Sequence, residues 1–211
     1  MIMLYTWTTP NGRKVSIMLE ELGLPYAVKA VNIGKGEQLT PEFLAISPNN
    51  KIPAIVDDEA EGGPLSIFES GAILTYLAEK SGRFLPPSGP ARFKTLEWLH
   101  WQIGGLGPML GQLGFFAVFS KEKAPLAIDR FTGEASRLLG VMERRLAEAP
   151  YLGGQEYSIA DIASYAWTLS TTTLLKGPLE ASMATKPHVL AWLKTIGERP
   201  AVQRGMAIPE L

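Results

Sequence analysis

Three short segments carry the side chains whose type and spacing suit chemistry. Thr8-Thr9-Pro10-Asn11-Gly12-Arg13-Lys14 puts a hydroxyl and an amide at the head of a predicted helix. A hydroxyl and the N–H groups of a first helical turn make a small anion site, and the helix end favours a negative charge such as a thiolate. Ser47-Pro48-Asn49-Asn50-Lys51-Ile52-Pro53 runs into Ala54-Ile55-Val56-Asp57. A cis Ile52–Pro53 bond turns the N–H and C=O of Ile52 outward, where a peptide-like ligand can pair as an added strand, with Lys51 beside it for a carboxylate. Phe68-Glu69-Ser70-Gly71 opens a further helix. There Glu69 suits an ammonium, and Ser70 with the helix amides suits its neighbouring carboxylate, which is the charge pair of an α-amino acid. Each segment also has a plain structural reading. Pro10 and Asn11 turn and cap a helix, Pro53 marks a strand entry, the Asn-Lys loop is solvated, and Ser70 is an N-cap beside a favourable Glu69 charge.

Composition narrows what these segments can do. The 211 residues contain no cysteine, which excludes disulfide scaffolds, iron–sulfur clusters, thiolate zinc sites and a cysteine nucleophile. Any thiol chemistry therefore uses a borrowed thiol. Two histidines, His100 and His188, are too few and too far apart for a histidine metal site, so no metal is expected. A net charge of −1 offers no long-range attraction for nucleic acid or anionic lipid, and neither partner is expected. The N-terminal Met1-Ile2-Met3-Leu4-Tyr5 has no basic region and meets Thr6 too soon for a signal-peptide core, so a cytoplasmic location is expected. Trp98 to Ser120 lacks Asp, Glu, Lys and Arg but holds Gln102, Gln112, His100, Pro108 and five glycines; it reads as a buried helix of a soluble bundle.

The elements that must position the three segments follow from periodicity. Strands are predicted at Ile2–Thr6, Tyr26–Val31, Ala54–Val56 and Leu65–Phe68, and helices at Gly12–Leu22, after Thr40-Pro41, and at Glu69–Lys80. The first helix has an apolar stripe of Val15, Met18, Leu19 and Leu22 that needs a sheet to cover, and Gly23-Leu24-Pro25 stops it. The proline-rich run Ser81–Ala91 cannot continue a helix. The expected organisation is an α/β domain at 1–81, a linker at 82–91, and an all-α domain at 92–211. In the latter, Ser158-Ile159-Ala160-Asp161 after Tyr157 is a capping box with a Tyr157–Ile162 staple, which starts an uncharged core helix.

The three segments in this order, then a proline-rich linker and a helical half with the Ser-Ile-Ala-Asp box, resemble the soluble glutathione transferase family along essentially the whole chain. TPNGRK, SPNNKIPAIVD and Trp101–Met109 look most like its bacterial nu class. The resemblance implies a thioredoxin-like N-terminal domain that binds glutathione, a helical-bundle C-terminal domain, a homodimer, and disulfide reduction more than conjugation. It implies that Ile52 with Pro53 meets the cysteinyl part of glutathione and that Glu69 and Ser70 take the γ-glutamyl end. Gln38, Asn50 or Lys51 would lie near the glycyl carboxylate. Thr9 and Asn11 would face the sulfur in place of the usual tyrosine, serine or cysteine; Tyr5, inside the first strand, reads as structural, with the sulfur-side role as its outside alternative. Arg130 is either an additional anion contact or a solvated arginine. With no thiol in the chain, the mixed disulfide must be resolved by a second glutathione, so the pocket is expected to admit two glutathione molecules or one glutathione disulfide. Two other readings stay open. One is conjugation to an apolar electrophile, if Phe115, Phe116, Phe119 and Trp167 line a cleft rather than the core. The other is a non-catalytic regulatory or docking protein on the same fold.

Overall fold

The computed structural model describes residues 1–210, and its first strand, β1 (Ile2–Thr6), shows the alternation read from the sequence: Ile2, Leu4 and Thr6 are buried and Met3 and Tyr5 half-buried. α1 (Pro10–Leu22) carries the chain to β2 (Tyr26–Ala30), which pairs parallel with β1. A parallel pair needs such a crossover. β3 (Ala54–Asp57) and β4 (Leu65–Phe68) complete a four-stranded sheet of order β2-β1-β3-β4, with β3 antiparallel to both neighbours. α2 (Pro41–Leu44) starts on the expected Thr40 cap, and α3 (Ser70–Ser81) packs beside α1. α1 buries Val15, Ile17, Met18 and Leu19 completely, each contributing about 1.5–3 kcal/mol before chain entropy is subtracted. It ends at Gly23, whose φ of 66° is the left-handed conformation glycine adopts freely. This is the thioredoxin-like arrangement that the family resemblance implies.

Contacts divide the chain into two units, one of Met1–Arg83 with the chain from Glu198 onward, the other Phe84–Gly197. The expected helical domain of 92–211 is thus corrected at its end: the final helix α10 (Pro200–Met206) packs on α1 of the first unit. Gly205 permits this, since a Cβ there would lie 2.5 Å from the Cα of Ile17. The expected linker 82–91 also shortens, because a helix begins at Gly89.

The second unit is all helical: α4 (Gly89–Trp101), α5 (Gly107–Gly114), α6 (Pro125–Glu148), α7 (Ile159–Leu169), α8 (Lys176–Met183) and α9 (Pro187–Gly197). Wide helical turns at Gln102–Leu106 and Phe115–Phe119 join α4 and α5 into one 31-residue run, Gly89–Phe119, long and apolar enough by composition to cross a membrane. It packs against α6 and α7, yet only 33% of its most apolar window is buried, which corrects the expectation of a buried helix. Phe115 and Phe119 are 52% and 66% exposed, not core residues, whereas Phe116 stacks on Phe131 at 5.7 Å. Gly107 and Gly111 lie so close to Trp167 that a Cβ on either would stand 3.2 Å from its ring. Small residues there let α5 approach α7, and the aromatic residues beyond turn outward.

The capping box of α7 forms as predicted: the Ser158 side chain caps the first turn, and Asp161 accepts from the Ser158 N–H at 3.1 Å. Asp161 is fully buried and also accepts from Leu152 N and Trp192 Nε1, each at 2.9 Å. Tyr157 lies in an aromatic cluster, edge-on to Phe84 at 5.7 Å and to Tyr151 at 5.8 Å.

Candidate functional site

The first unit joins the three singled-out segments through side-chain hydrogen bonds. At the head of α1, Thr9 is the N-cap and its Oγ1 accepts from Gly12 N at 3.1 Å. Pro10 has no N–H, and Arg13 N donates to the Thr9 carbonyl at 3.0 Å. Capping uses one lone pair of the Thr9 hydroxyl and leaves its O–H as a donor. Asn11 lies in the same half-buried turn. Gly12 has no room for a side chain: a Cβ would stand 2.4 Å from Thr6 Oγ1.

The second segment is a rigid loop although it reads as solvated. Buried Ser47 donates its hydroxyl to the Lys51 carbonyl at 2.9 Å and accepts at its own carbonyl from Asn50 N at 2.9 Å. Asn50, at φ 52°, donates through Nδ2 to the Gln38 carbonyl at 2.9 Å, so the short turn Glu37–Leu39 is tied to the loop. The Gln38 side-chain oxygen is buried without a hydrogen-bond partner. The Ile52–Pro53 bond is cis, and Ile52 lies just before the registers of β3 with β1 and β4, both of which include Ala54. Lys51 is exposed.

The third segment opens α3. Glu69, exposed and at φ 68°, accepts from Asn49 Nδ2 at 3.4 Å. Ser70 is buried, and its Oγ accepts from Lys14 Nζ at 3.2 Å. Lys14 is only 1% exposed; burial pushes its ammonium down to about 7, and the Glu69 charge works in the opposite direction. Two contacts therefore link the three segments, and a third ties in a neighbouring turn. Lys14–Ser70 joins α1 to α3, Asn49–Glu69 joins the loop to α3, and Asn50–Gln38 joins the loop to the 37–39 turn.

Lys14 was not singled out in the sequence, though a signal exists. It stands one helical turn before Met18, so it shares the buried stripe of α1. Tyr5 lies on the other face of the sheet from Leu4 and Thr6. Its ring is 6.2 Å from that of Phe43 and 5.6 Å from Lys29 Nζ, and it lines a cavity of about 350 Å3 with Val31 and Ile46. Arg130 is exposed on α6, in the second unit, so it is not among the residues these contacts join. Among the described residues no group of three His, Asp or Glu side chains converges to hold a metal ion.

Comparison with known proteins agrees with this architecture. The glutathione S-transferase N-terminal domain matches residues 4–87 and its C-terminal domain residues 106–200. The chain belongs to the glutathione transferase family. It is 49% identical to the disulfide-bond oxidoreductase YfcG of Escherichia coli, over all of this chain and 97% of that protein. A glutathione transferase family member from Pseudomonas fluorescens, solved with two glutathione molecules bound, superposes with a TM-score of 0.95 at 46% identity, covering 99% of this chain and 93% of that one. One from Pseudomonas putida, with one glutathione disulfide bound per subunit, gives a TM-score of 0.94 at 46% identity, over 99% and 91% of the two chains.

Proposed function

We propose that the protein is a glutathione-dependent disulfide reductase whose site takes two glutathione molecules or one glutathione disulfide. The observation that carries this reading is a cysteine-free chain whose sulfur-side turn offers donors rather than a nucleophile. The names and ligands of the relatives above support it. Thr9 and Asn11 face the sulfur, Ile52 with Pro53 pairs the cysteinyl backbone, Glu69 and Ser70 take the γ-glutamyl end, and Gln38, Asn50 or Lys51 lie near the glycyl carboxylate. Arg130 is a further anion contact in the same reading, which also takes the protein as a cytoplasmic homodimer. Light scattering tests the assembly, and a mass near one subunit rejects it.

The energetics close without a protein nucleophile. Lowering a thiol from pKa ~8.5 to ~6.5 needs about 2.7 kcal/mol of preference for the anion. A charge-assisted hydrogen bond supplies about 1.5–3 kcal/mol before desolvation, and the helix end ~0.3–1 more. The Thr9 hydroxyl and Asn11 together reach that sum. The first glutathione thiolate attacks one sulfur of the substrate disulfide, forming a mixed disulfide and releasing the other half as a thiolate, which takes a proton from water. A second glutathione thiolate attacks the glutathionyl sulfur of the mixed disulfide. Glutathione disulfide and the second substrate thiolate leave, so two electrons pass from two glutathiones to one disulfide.

The test compares turnover of 2-hydroxyethyl disulfide with conjugation of an aryl halide, for wild type and Asn11→Ala. Faster disulfide turnover that collapses in the variant is expected. Dominant aryl conjugation supports the second reading, a conventional transferase, which the exposed Phe115 and Phe119 favour. Silence in both assays, with no glutathione binding, moves the protein to a regulatory or docking role.

A further inference from the structure

The proposed γ-glutamyl site has a charge imbalance that its two named residues do not resolve. Glu69 answers the ammonium of an α-amino acid, but Ser70 and the first-turn amides of α3 meet a carboxylate with neutral donors that carry no formal charge. The missing positive charge stands directly behind Ser70. Lys14 reaches across from α1, is 1% exposed, and places Nζ 3.2 Å from Ser70 Oγ. With Ser70 Oγ accepting from Lys14, its O–H is left to donate to a ligand.

We infer that Lys14 is a positioning residue for the γ-glutamyl α-carboxylate: it orients the Ser70 hydroxyl toward that carboxylate and supplies its buried counter-charge. The inference rests on the amino-acid reading of Glu69 and Ser70. A buried ammonium is costly unless a negative charge repays it, and burial already lowers Lys14 to about 7. A carboxylate arriving at Ser70 favours the protonated form. Lys14 is the cation bonded to Ser70, with half-buried Arg13 beside it on α1. β1 has no charged residue over Ile2–Thr6, and Glu69 heads α3, whose own charges, Glu79 and Lys80, lie at its far end. The α10 side of α1 holds Arg199 and Arg204 against Glu21 and Glu20, at the opposite end of the helix from Lys14.

The experiment compares two ligands by calorimetric titration of the full chain. One is glutathione; the other is 4-aminobutanoyl-cysteinyl-glycine, which lacks only the glutamyl α-carboxylate. Wild type is expected to prefer glutathione by about tenfold or more, the effect of one hydrogen bond to a charged group. In Lys14→Met and Lys14→Gln the preference is expected to fall toward unity while the truncated ligand binds all three proteins alike. The Gln variant can still donate to Ser70 but carries no charge, so it isolates the charge. A preference that survives both substitutions overturns the inference. Equal binding of both ligands by wild type, or none, instead overturns the amino-acid reading of the site. If neither variant folds, wild type alone decides. Its preference should fall as pH rises through about 7, because Lys14 loses its proton, and a flat ratio overturns the inference. The amine and thiol are common to both ligands, so their titrations cancel in the ratio.

Discussion

Ser16 on α1 donates its hydroxyl to the carbonyl of Gly205 on α10 at 2.6 Å, across 189 residues of sequence. The same glycine sits where a Cβ would fall 2.5 Å from the Cα of Ile17. α10 is therefore a brace on the helix whose first turn carries Thr9 and Asn11.

Gly205→Ala should push α10 off α1. Because the obstacle is backbone, relief requires moving a helix, and a loss of about 1–3 kcal/mol is expected in urea unfolding. Glutathione affinity should weaken in the same variant. A change under ~0.5 kcal/mol would mean that α10 does not bear on α1.

Asp161→Ala should be among the most damaging single changes in the helical unit. It removes the acceptor of Leu152 N, Trp192 Nε1 and Ser158 N at once. Each orphaned buried donor costs about 1–3 kcal/mol, so a loss of roughly 3 kcal/mol or more is expected in the denaturation midpoint. Asp161→Asn, which keeps part of the acceptor set, should lose less.

Asp57 should contribute to acid sensitivity. Burial alone would raise this fully buried carboxyl, but Lys80 and the Tyr76 hydroxyl at 2.7 Å hold it below its ordinary 3.8. A lowered acid pKa gives stability that is fully present above 3.8 and is lost as pH falls through the depressed value. Lys80→Met should therefore move the acid-unfolding midpoint upward. An unchanged midpoint would show that the pair contributes nothing in acid.

Glu69 sets stability against binding. At φ 68° a non-glycine residue is strained, so Glu69→Gly should be more stable than Glu69→Ala by about 1 kcal/mol. With Glu69 taking the γ-glutamyl end as proposed, both should lose glutathione affinity, because both lack the carboxylate. Thermal unfolding measures the first comparison and calorimetric titration the second.

Local grammar made most of the first unit legible. Thr40, and Ser158 in the second unit, cap helices as read because a short hydroxyl can reach the orphan amides of a first turn, whereas α1 starts at Pro10 on a Thr9 cap, earlier than the Pro10-Asn11 cap and Gly12 start expected. The apolar spacing of Val15, Met18 and Leu19 set the buried side of α1, and β4 occupies Leu65–Phe68 as read. Those signals act over a few residues, which is why a single chain displays them. The linked segments Thr8–Lys14, 47–53 and 68–71 were visible for the same reason: each is a turn or helix start with its own local chemistry.

Contacts between distant elements belonged to the tertiary structure. The spacing of Lys14 from Met18 puts it on the buried stripe of α1, but its partner Ser70 is set only when α3 packs against α1. The chain from Glu198 onward reads as the end of a helical domain until Gly205 lets it close on α1. Phe115 and Phe119 stay open between cleft and core in the sequence, and the structure leaves both exposed while α5 closes on Trp167 at Gly107 and Gly111. In each case the deciding term is steric fit or a buried charge between residues far apart in sequence, and it exists only once folding has brought them together.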